Sequence, residues 1–376
     1  MATSRAVVLD KPLGTFTMAE FRLPEPEPDT VLLRMELSGC CATDAHTYLG
    51  QWQETFPIVL GHENVGVVEA LGPGGQQDFL GRELRVGDRV FARPVWCGQC
   101  YECRALRLTR RCRNRAAGFG GARVDGVRPF SGGYGEHLYL NAPMTTFMLK
   151  MDVPASVAVL SEPLGVAATA VRRAQPKLGD TVVVQGSGAI GLLTLGLAKL
   201  AGATRAIVVG APRERLEVAR AFGADVAINI DDVRSPEDRT RAVLAETPGG
   251  IGADVVYGCV GLAPAWIEGI SYLRDGGGRF IEVGLASDTG DVTFNPCTQL
   301  VAKNATFIGA LGLETLHDAV VAGRVMEKGA LPLDRVVSHQ LPLERVGDAI
   351  AALNSDYRVD GRTALKISIA ANGPVD

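Results

Sequence analysis

Residues 181–191 read Thr-Val-Val-Val-Gln-Gly-Ser-Gly-Ala-Ile-Gly, a β-branched run that turns through Gly-x-Gly-x-x-Gly into an apolar stretch. Glycine at 186, 188 and 191 lets backbone N–H groups at a helix N-terminus approach a pyrophosphate, with Ser187, Ala189 and Ile190 between them. The pattern alone also describes a Gly-rich turn. The hundred residues after it decide between the two: a helix is expected over 189–200, strands over 206–210, 226–230, 255–257 and 279–283, and a second helix near 214–222. Such alternation predicts an α/β fold with a doubly wound parallel sheet, and Gly284 just past the 279–283 strand joins the candidate dinucleotide site.

The second strand bears on which dinucleotide. In NAD sites an acidic residue about twenty positions after the glycines accepts from the ribose 2′-hydroxyl. Here the strand ends at Gly210, followed by Ala-Pro-Arg213-Glu-Arg215. No carboxylate stands there to repel a 2′-phosphate, and Arg213 or Arg215 could pair with one; solvated arginines in a helix's first turn read equally well. The sequence leans toward NADP and leaves NAD open.

Residues 5–160 have a different texture: short apolar strands at 5–9, 31–37, 65–71 and 89–92, broken by a Pro-rich 24–28 and a Gly-rich 72–75. At 376 residues two domains are expected. From about Lys303 only one helix (315–328) and a closing strand (364–369) are read, too little for a third. The expected division is therefore a mainly β domain of 1–160 with 303–376, and a dinucleotide-binding domain of 161–302. Net charge is −4, which gives no overall electrostatic footprint for nucleic acid or an anionic membrane. The longest mild apolar stretch, 186–203, is interrupted by glycines and Lys199, so no membrane span is read. A small-molecule partner is the expectation.

Cys97-Gly-Gln-Cys100-Tyr-Glu-Cys103, with Cys112 after eight more residues, has the spacing of thiolates that converge on one tetrahedral zinc. Disulfides are the competing reading. No leader-like segment is read at the N-terminus, and the reducing, cytoplasmic setting this suggests disfavours them. A closed four-thiolate zinc has no open position, so its role is structural. A second set of metal-ligand types lies in Cys40-Cys41-Ala-Thr43-Asp44-Ala-His46, in Gly61-His62-Glu63, and in Glu162-Pro-Leu. Taken singly, these are ordinary core or helix-start residues.

In this order, with Val86-Gly-Asp-Arg-Val90 and the glycine turn, these motifs resemble the zinc-dependent medium-chain dehydrogenases along nearly the whole chain. The resemblance implies a Rossmann-type domain plus a mainly β catalytic domain with a structural zinc lobe. It implies an alcohol dehydrogenase that moves a hydride between an alcohol and NAD(P), interconverting alcohol and carbonyl. Cys41 and His62 would ligate the catalytic zinc, and Glu162 would complete the set as in the polyol, sugar and threonine branch. Glu63 would either touch that metal or sit just behind it. Thr43 would hydrogen-bond the alcohol oxygen and start a proton relay toward His46, while Asp44 would fix the tautomer of His62. Three protein ligands leave zinc's fourth position open, and zinc lowers the pKa of bound water from about 15.7 to about 7, an effect that suits alcohol oxidation. Two zinc ions per chain, an alcohol or carbonyl substrate, and a homodimer or homotetramer are what the resemblance implies.

Three departures stand out: the eight-residue spacing before Cys112, extra residues between Gly72 and Val86, and the missing acid at Gly210. Six arginines between Arg104 and Arg115 raise the alternative of a zinc-ribbon module for nucleic acid, which the acidic net charge and the second ligand set disfavour. A catalytically silent cofactor-binding protein of the same fold is the other alternative. Trp52, Phe56, Trp96 and Phe119 are candidates for an apolar substrate wall or for ordinary packing.

Overall fold

The computed structural model describes residues 2–52, 54–94, 97, 99–106, 112–114, 123–124, 130–140 and 146–376. Trp96 and Phe119 lie outside the described residues. The chain divides into two compact units, residues 1–161 with 337–376, and residues 162–336.

The first unit is mainly β. Its strands are β1 (Thr3–Leu9), β2 (Phe16–Arg22), β3 (Val31–Gly39), β4 (Ile58–Val59), β5 (Glu63–Leu71), β6 (Arg89–Pro94), β7 (His137–Leu140) and β8 (Thr146–Lys150). Its helices in this half are α1 (Ala42–Tyr48), α2 (Tyr101–Arg104) and α3 (Ala155–Ala158). Strand β3 is the centre. It pairs antiparallel with β5 on one side and with β7 on the other, and Leu33, Met35 and Leu37 are fully buried. The β3–β5 register sets Gly39 opposite Glu63, which brings the segment after β3 (Cys40, Cys41) beside the start of β5 (His62, Glu63).

The second unit begins in α4 (Ser161–Ala174) and alternates strand and helix: β9 (Thr181–Gln185), α5 (Ala189–Leu200), β10 (Arg205–Gly210), α6 (Arg213–Ala221), β11 (Val226–Asn229), α7 (Pro236–Ala245), β12 (Val255–Gly258), α8 (Ala263–Ser271), β13 (Arg279–Glu282), β14 (Thr306–Gly309) and α9 (Leu316–Glu327). All neighbouring strand pairs are parallel, in the order β11-β10-β9-β12-β13-β14. That is the doubly wound order 3-2-1-4-5-6, reversing between β9 and β12. Every residue of β9 is buried, as a strand covered on both faces requires. Helix α5 ends at Gly202, φ +114°, where the Ala203 N–H reaches back to the Ala198 carbonyl, a termination that favours glycine.

The chain returns to the first unit with β15 (Val337–Leu341), α10 (Val346–Leu353), β16 (Arg358–Val359), β17 (Arg362–Thr363) and β18 (Lys366–Ile369). Strand β18 pairs with β3 through Ser368 opposite Gly39. The expected return at residue 303 is corrected by the structure: residues 303–336 stay with the second unit. Strand β14 extends the parallel sheet beside β13, and its Phe307 packs against Trp266, Phe280 and Phe294. Four residues ending in glycine carry too little pattern to read as a strand. Among the described residues no helix is long and apolar enough to cross a membrane.

Candidate active site

Cys41 is the N-cap of α1, and the first turns of that short helix carry Thr43, Asp44 and His46. Asp44 is buried and collects three donors. Its Oδ2 accepts from the Cys41 backbone N–H at 2.9 Å and from the Tyr134 hydroxyl at 2.9 Å, while its Oδ1 takes the His62 Nδ1 proton at 3.2 Å. Burial pushes the Asp44 carboxyl up, but His62 and these hydrogen bonds outweigh it and hold the group below its usual range. With Nδ1–H given to Asp44, Nε2 keeps its lone pair for a metal. The ligand atoms of Cys41, His62 and Glu63 all lie within 4.8 Å of one another. A thiolate and an imidazole at that spacing are donors that zinc favours.

Glu63 has a second attachment. Its carboxylate lies 2.5 Å from Lys366 Nζ, and that ammonium also donates to the Cys40 carbonyl at 2.9 Å. Both side chains are buried, Lys366 at 6% exposure and Glu63 at 1%. Burial opposes the Lys366 charge, yet Glu63 beside it raises the pKa above the ordinary lysine value. Thr43 Oγ1 stands 3.6 Å from Cys41 Sγ, and His46 Nδ1 is 2.6 Å from Gln51 Oε1. Glu162 is in the first turn of α4, in the second unit. Phe56 packs on the core of the first unit, the ordinary reading of that residue; Trp52 is half-buried.

The four lobe sulfurs form a separate cluster. Cys100 Sγ lies 3.4 Å from Cys103 Sγ and 3.9 Å from Cys112 Sγ, and Cys112 Sγ is 3.5 Å from Cys97 Sγ. Disulfide sulfurs would be about 2.05 Å apart, whereas a tetrahedron with ~2.3 Å zinc–sulfur bonds spaces them ~3.8 Å apart. All eight cysteines are free thiols. The N–H groups of Gln99 and Cys100 point at Cys97 Sγ and draw its thiol down to about 6, which favours the thiolate a metal needs. The extra residue before Cys112 is accommodated without displacing its sulfur from the cluster. Arg113 of the same lobe is engaged by Glu102.

In the second unit, Gly186 has φ +110°, and a Cβ there would come within 2.8 Å of the Cys259 carbonyl. A Cβ at Gly191 would stand 2.0 Å from the Gly186 carbonyl, while one at Gly188, the N-cap of α5, would meet nothing within 4 Å. Close packing thus fixes two glycines, and the third leaves open the space a pyrophosphate would approach. Gly210 has its own reason. A Cβ there would be 2.6 Å from Ser187 Oγ and 2.9 Å from the Ser187 backbone N, and that hydroxyl donates to the Ala211 carbonyl at 2.8 Å. Arg213 pairs with Asp232 at 2.8 Å on the exposed surface, and Arg215 is half-buried in the same turn of α6. Gly284 packs with its Cα against the backbone of Val260.

Comparison with known proteins shows the family. Residues 27–152 match the alcohol dehydrogenase GroES-like domain, and residues 189–323 match the zinc-binding dehydrogenase domain. A Mycobacterium tuberculosis protein named "Probable alcohol dehydrogenase adh" is 34% identical over 86% of this chain and 88% of its own. The chain belongs to the zinc-dependent alcohol dehydrogenase family. The erythritol/L-threitol dehydrogenase of Mycolicibacterium smegmatis is 30% identical over 97% of each chain. An alcohol dehydrogenase from Thermotoga maritima superposes with a TM-score of 0.88 at 29% identity, covering 99% of this chain and 100% of that one. As a member, this dehydrogenase is a zinc-dependent oxidoreductase that transfers a hydride between an alcohol and NAD(P). Sequence motifs name the residues of α1 and the glycine turn; they do not name Lys366, Tyr134 or Gln51. Tyr134 sits in a Gly-Gly-Tyr-Gly turn without a ligand spacing, and Lys366 stands 303 positions beyond its partner Glu63.

Proposed function

We propose that this dehydrogenase oxidises a secondary or polyhydric alcohol with NADP as the preferred acceptor, using one zinc held by Cys41 and His62 and a second, structural zinc in the four-cysteine lobe. The observation that carries this reading is the threefold hold of Asp44 on Cys41, His62 and Tyr134, which orients a thiol and an imidazole as neighbouring donors. Zinc held there would supply a Lewis acid for the alcohol oxygen, and a bound nicotinamide would supply the hydride acceptor. Thr43 Oγ, beside Cys41 Sγ, accepts a hydrogen bond from the alcohol and takes its proton as its own hydroxyl proton passes on toward His46. His46 lies one turn further along α1 on the same side. Its Nδ1 faces the Gln51 amide oxygen, so Nε2 is the atom that accepts the proton on its way to solvent.

Glu63 we assign as the counter-ion of Lys366 behind the metal rather than as a permanent ligand, because a 2.5 Å ion pair already engages it. The NADP preference follows from Gly210, where there is no room for the carboxylate that NAD recognition uses, with Arg213 and Arg215 nearby for a 2′-phosphate. A polyol is favoured by the erythritol/L-threitol dehydrogenase that matches along 97% of the chain. Free thiols at all eight cysteines suit a cytoplasmic setting, and the strand β14 at one edge of the parallel sheet offers a surface for a homodimer or homotetramer. The test is zinc analysis together with initial rates on polyols, sugars, hydroxy-amino acids and secondary alcohols with each cofactor. Two zinc ions per chain and NADP-dependent polyol oxidation are expected; a chain that purifies without metal and still oxidises alcohols sinks the assignment.

A further inference from the structure

Glu282 ends β13, at the carboxyl end of the parallel sheet, where open α/β sheets receive their ligands. Its Oε1 accepts from the N–H groups of Gly284 and Leu285, each at 2.8 Å. The other oxygen lies over Gly258, the last residue of β12; a Cβ at that glycine would come within 2.5 Å of Oε2. Gly284 is itself pressed against β12's end, since a Cβ on it would stand 2.6 Å from the Val260 N. Gly186 closes on the neighbouring Cys259 carbonyl from the other side. The turns after β9, β12 and β13 therefore form one backbone ledge at the point where strand order reverses, and Glu282 is the side chain that fixes its third member.

We propose that Glu282 is a positioning residue for dinucleotide binding, its carboxylate holding the 283–285 turn in the shape that receives the cofactor. The proposal rests on the assignment of this unit as the dinucleotide site. Burial pushes the Glu282 carboxyl up to about 7, against the pull of the backbone N–H groups of Leu285, Gly284 and Val283. The titratable side chain that faces it is Cys259 at the end of β12; burial raises that thiol, with the Thr194 hydroxyl from α5 beside it, so Cys259 stays neutral across the same range. An ionised carboxylate is the stronger acceptor for two N–H donors, but the cost of burying its charge is the larger effect here. The held turn therefore binds the Glu282 proton more tightly than an opened, solvated turn does, so it is favoured below about pH 7 and loosens as Glu282 ionises.

The experiment compares wild type, Glu282→Gln and Glu282→Ala by fluorescence titration with NADH and NADPH from pH 6 to 8.5. Amide hydrogen exchange of residues 283–285 without cofactor is measured over the same range. Wild type is expected to bind its preferred cofactor several-fold more tightly at pH 6 than at pH 8, with faster exchange at pH 8 than the pH-corrected intrinsic rate predicts. Glu282→Gln keeps one acceptor oxygen and does not titrate, so its affinity and protection should be flat with pH. Glu282→Ala should lose about tenfold in affinity at every pH. Identical pH profiles in wild type and Glu282→Gln overturn the proposal, whether or not the alanine variant folds. A wild type that binds neither cofactor while exchange at 283–285 still varies with pH overturns the dinucleotide assignment, and the proposal with it.

Discussion

Asp44 sets the local order of the candidate active site because its carboxylate accepts hydrogen bonds both from a candidate ligand residue and from the backbone of another. Asp44→Asn removes the charge that orients His62 and gives the amide a donor where Cys41 and Tyr134 each need an acceptor. Loss of such a partner behind a metal ligand typically weakens metal binding about 10–100-fold. Zinc affinity of Asp44→Asn, measured by competition with a chromophoric chelator, is expected to fall in that range, with activity falling in parallel. Unchanged affinity would show that His62 is oriented by something else. This much was legible in the sequence, since Cys41, Thr43, Asp44 and His46 fall within six residues and His62 adjoins a glycine turn. Lys366 was not legible: a lysine in a short closing strand carries no mark of burial, and only the pairing of β18 with β3 puts it beside Glu63.

Secondary structure was most readable where local chemistry and packing agree. Thr181–Gln185 and Ala189–Leu200 form where the β-branched run and the apolar helix predict them. Strand β2 and helices α4, α7, α8 and α10 were not read, because these elements are short or rich in small residues and their faces are settled by what they pack on. The turn between β9 and α5 yields a sharp expectation. Since a Cβ at 210 meets the Ser187 backbone N at 2.9 Å, Gly210→Asp cannot install NAD recognition without shifting the glycine turn. The variant should bind both cofactors at least about tenfold more weakly, a loss of about 1.4 kcal/mol; tighter NAD binding with NADP affinity lost would refute the packing argument. A second expectation concerns α4 and α9. Asp318 caps α9 with Thr315 and accepts from Thr169 and from Arg172 of α4. Burial pushes its carboxyl up, but Arg172 and the two threonines prevail and hold it below the ordinary 3.8. The folded chain therefore binds fewer protons here than the unfolded one, so the stabilisation is complete above about pH 4 and is lost as pH falls through the lowered value. Asp318→Ala should cost about 2–4 kcal/mol in urea unfolding at pH 7. The gap from wild type should narrow as the buffer is taken below pH 4; a constant gap would mean that packing, not charge, is what Asp318 contributes.

For the molecule as a whole, the two-unit division and the parallel sheet were legible, but the second boundary was misplaced by about thirty residues. The reason lies in β14 and α9. Sequence texture assigns a segment by its own pattern, whereas Phe307 and Arg172–Asp318 bind residues 303–336 to the second unit through partners distant in the chain. The two cysteine-bearing sites in the first unit differ in the same global way. The lobe gathers four thiols and Cys41 gathers with His62 and Glu63 in a mixed set; under the proposed assignment the first would close around zinc and the second would leave a position open. An open site exchanges its metal faster than a closed one, because a chelator can enter its coordination shell before any protein ligand leaves. Timed exposure of the holoenzyme to dipicolinate should therefore remove zinc in two phases. Activity should vanish with the first equivalent while the thermal midpoint holds, and the midpoint should drop with the second as the lobe loses its organising ion. If activity instead survives the first equivalent and falls only with the second, the catalytic metal is not at Cys41 and His62, and the structural role given to the lobe fails with it.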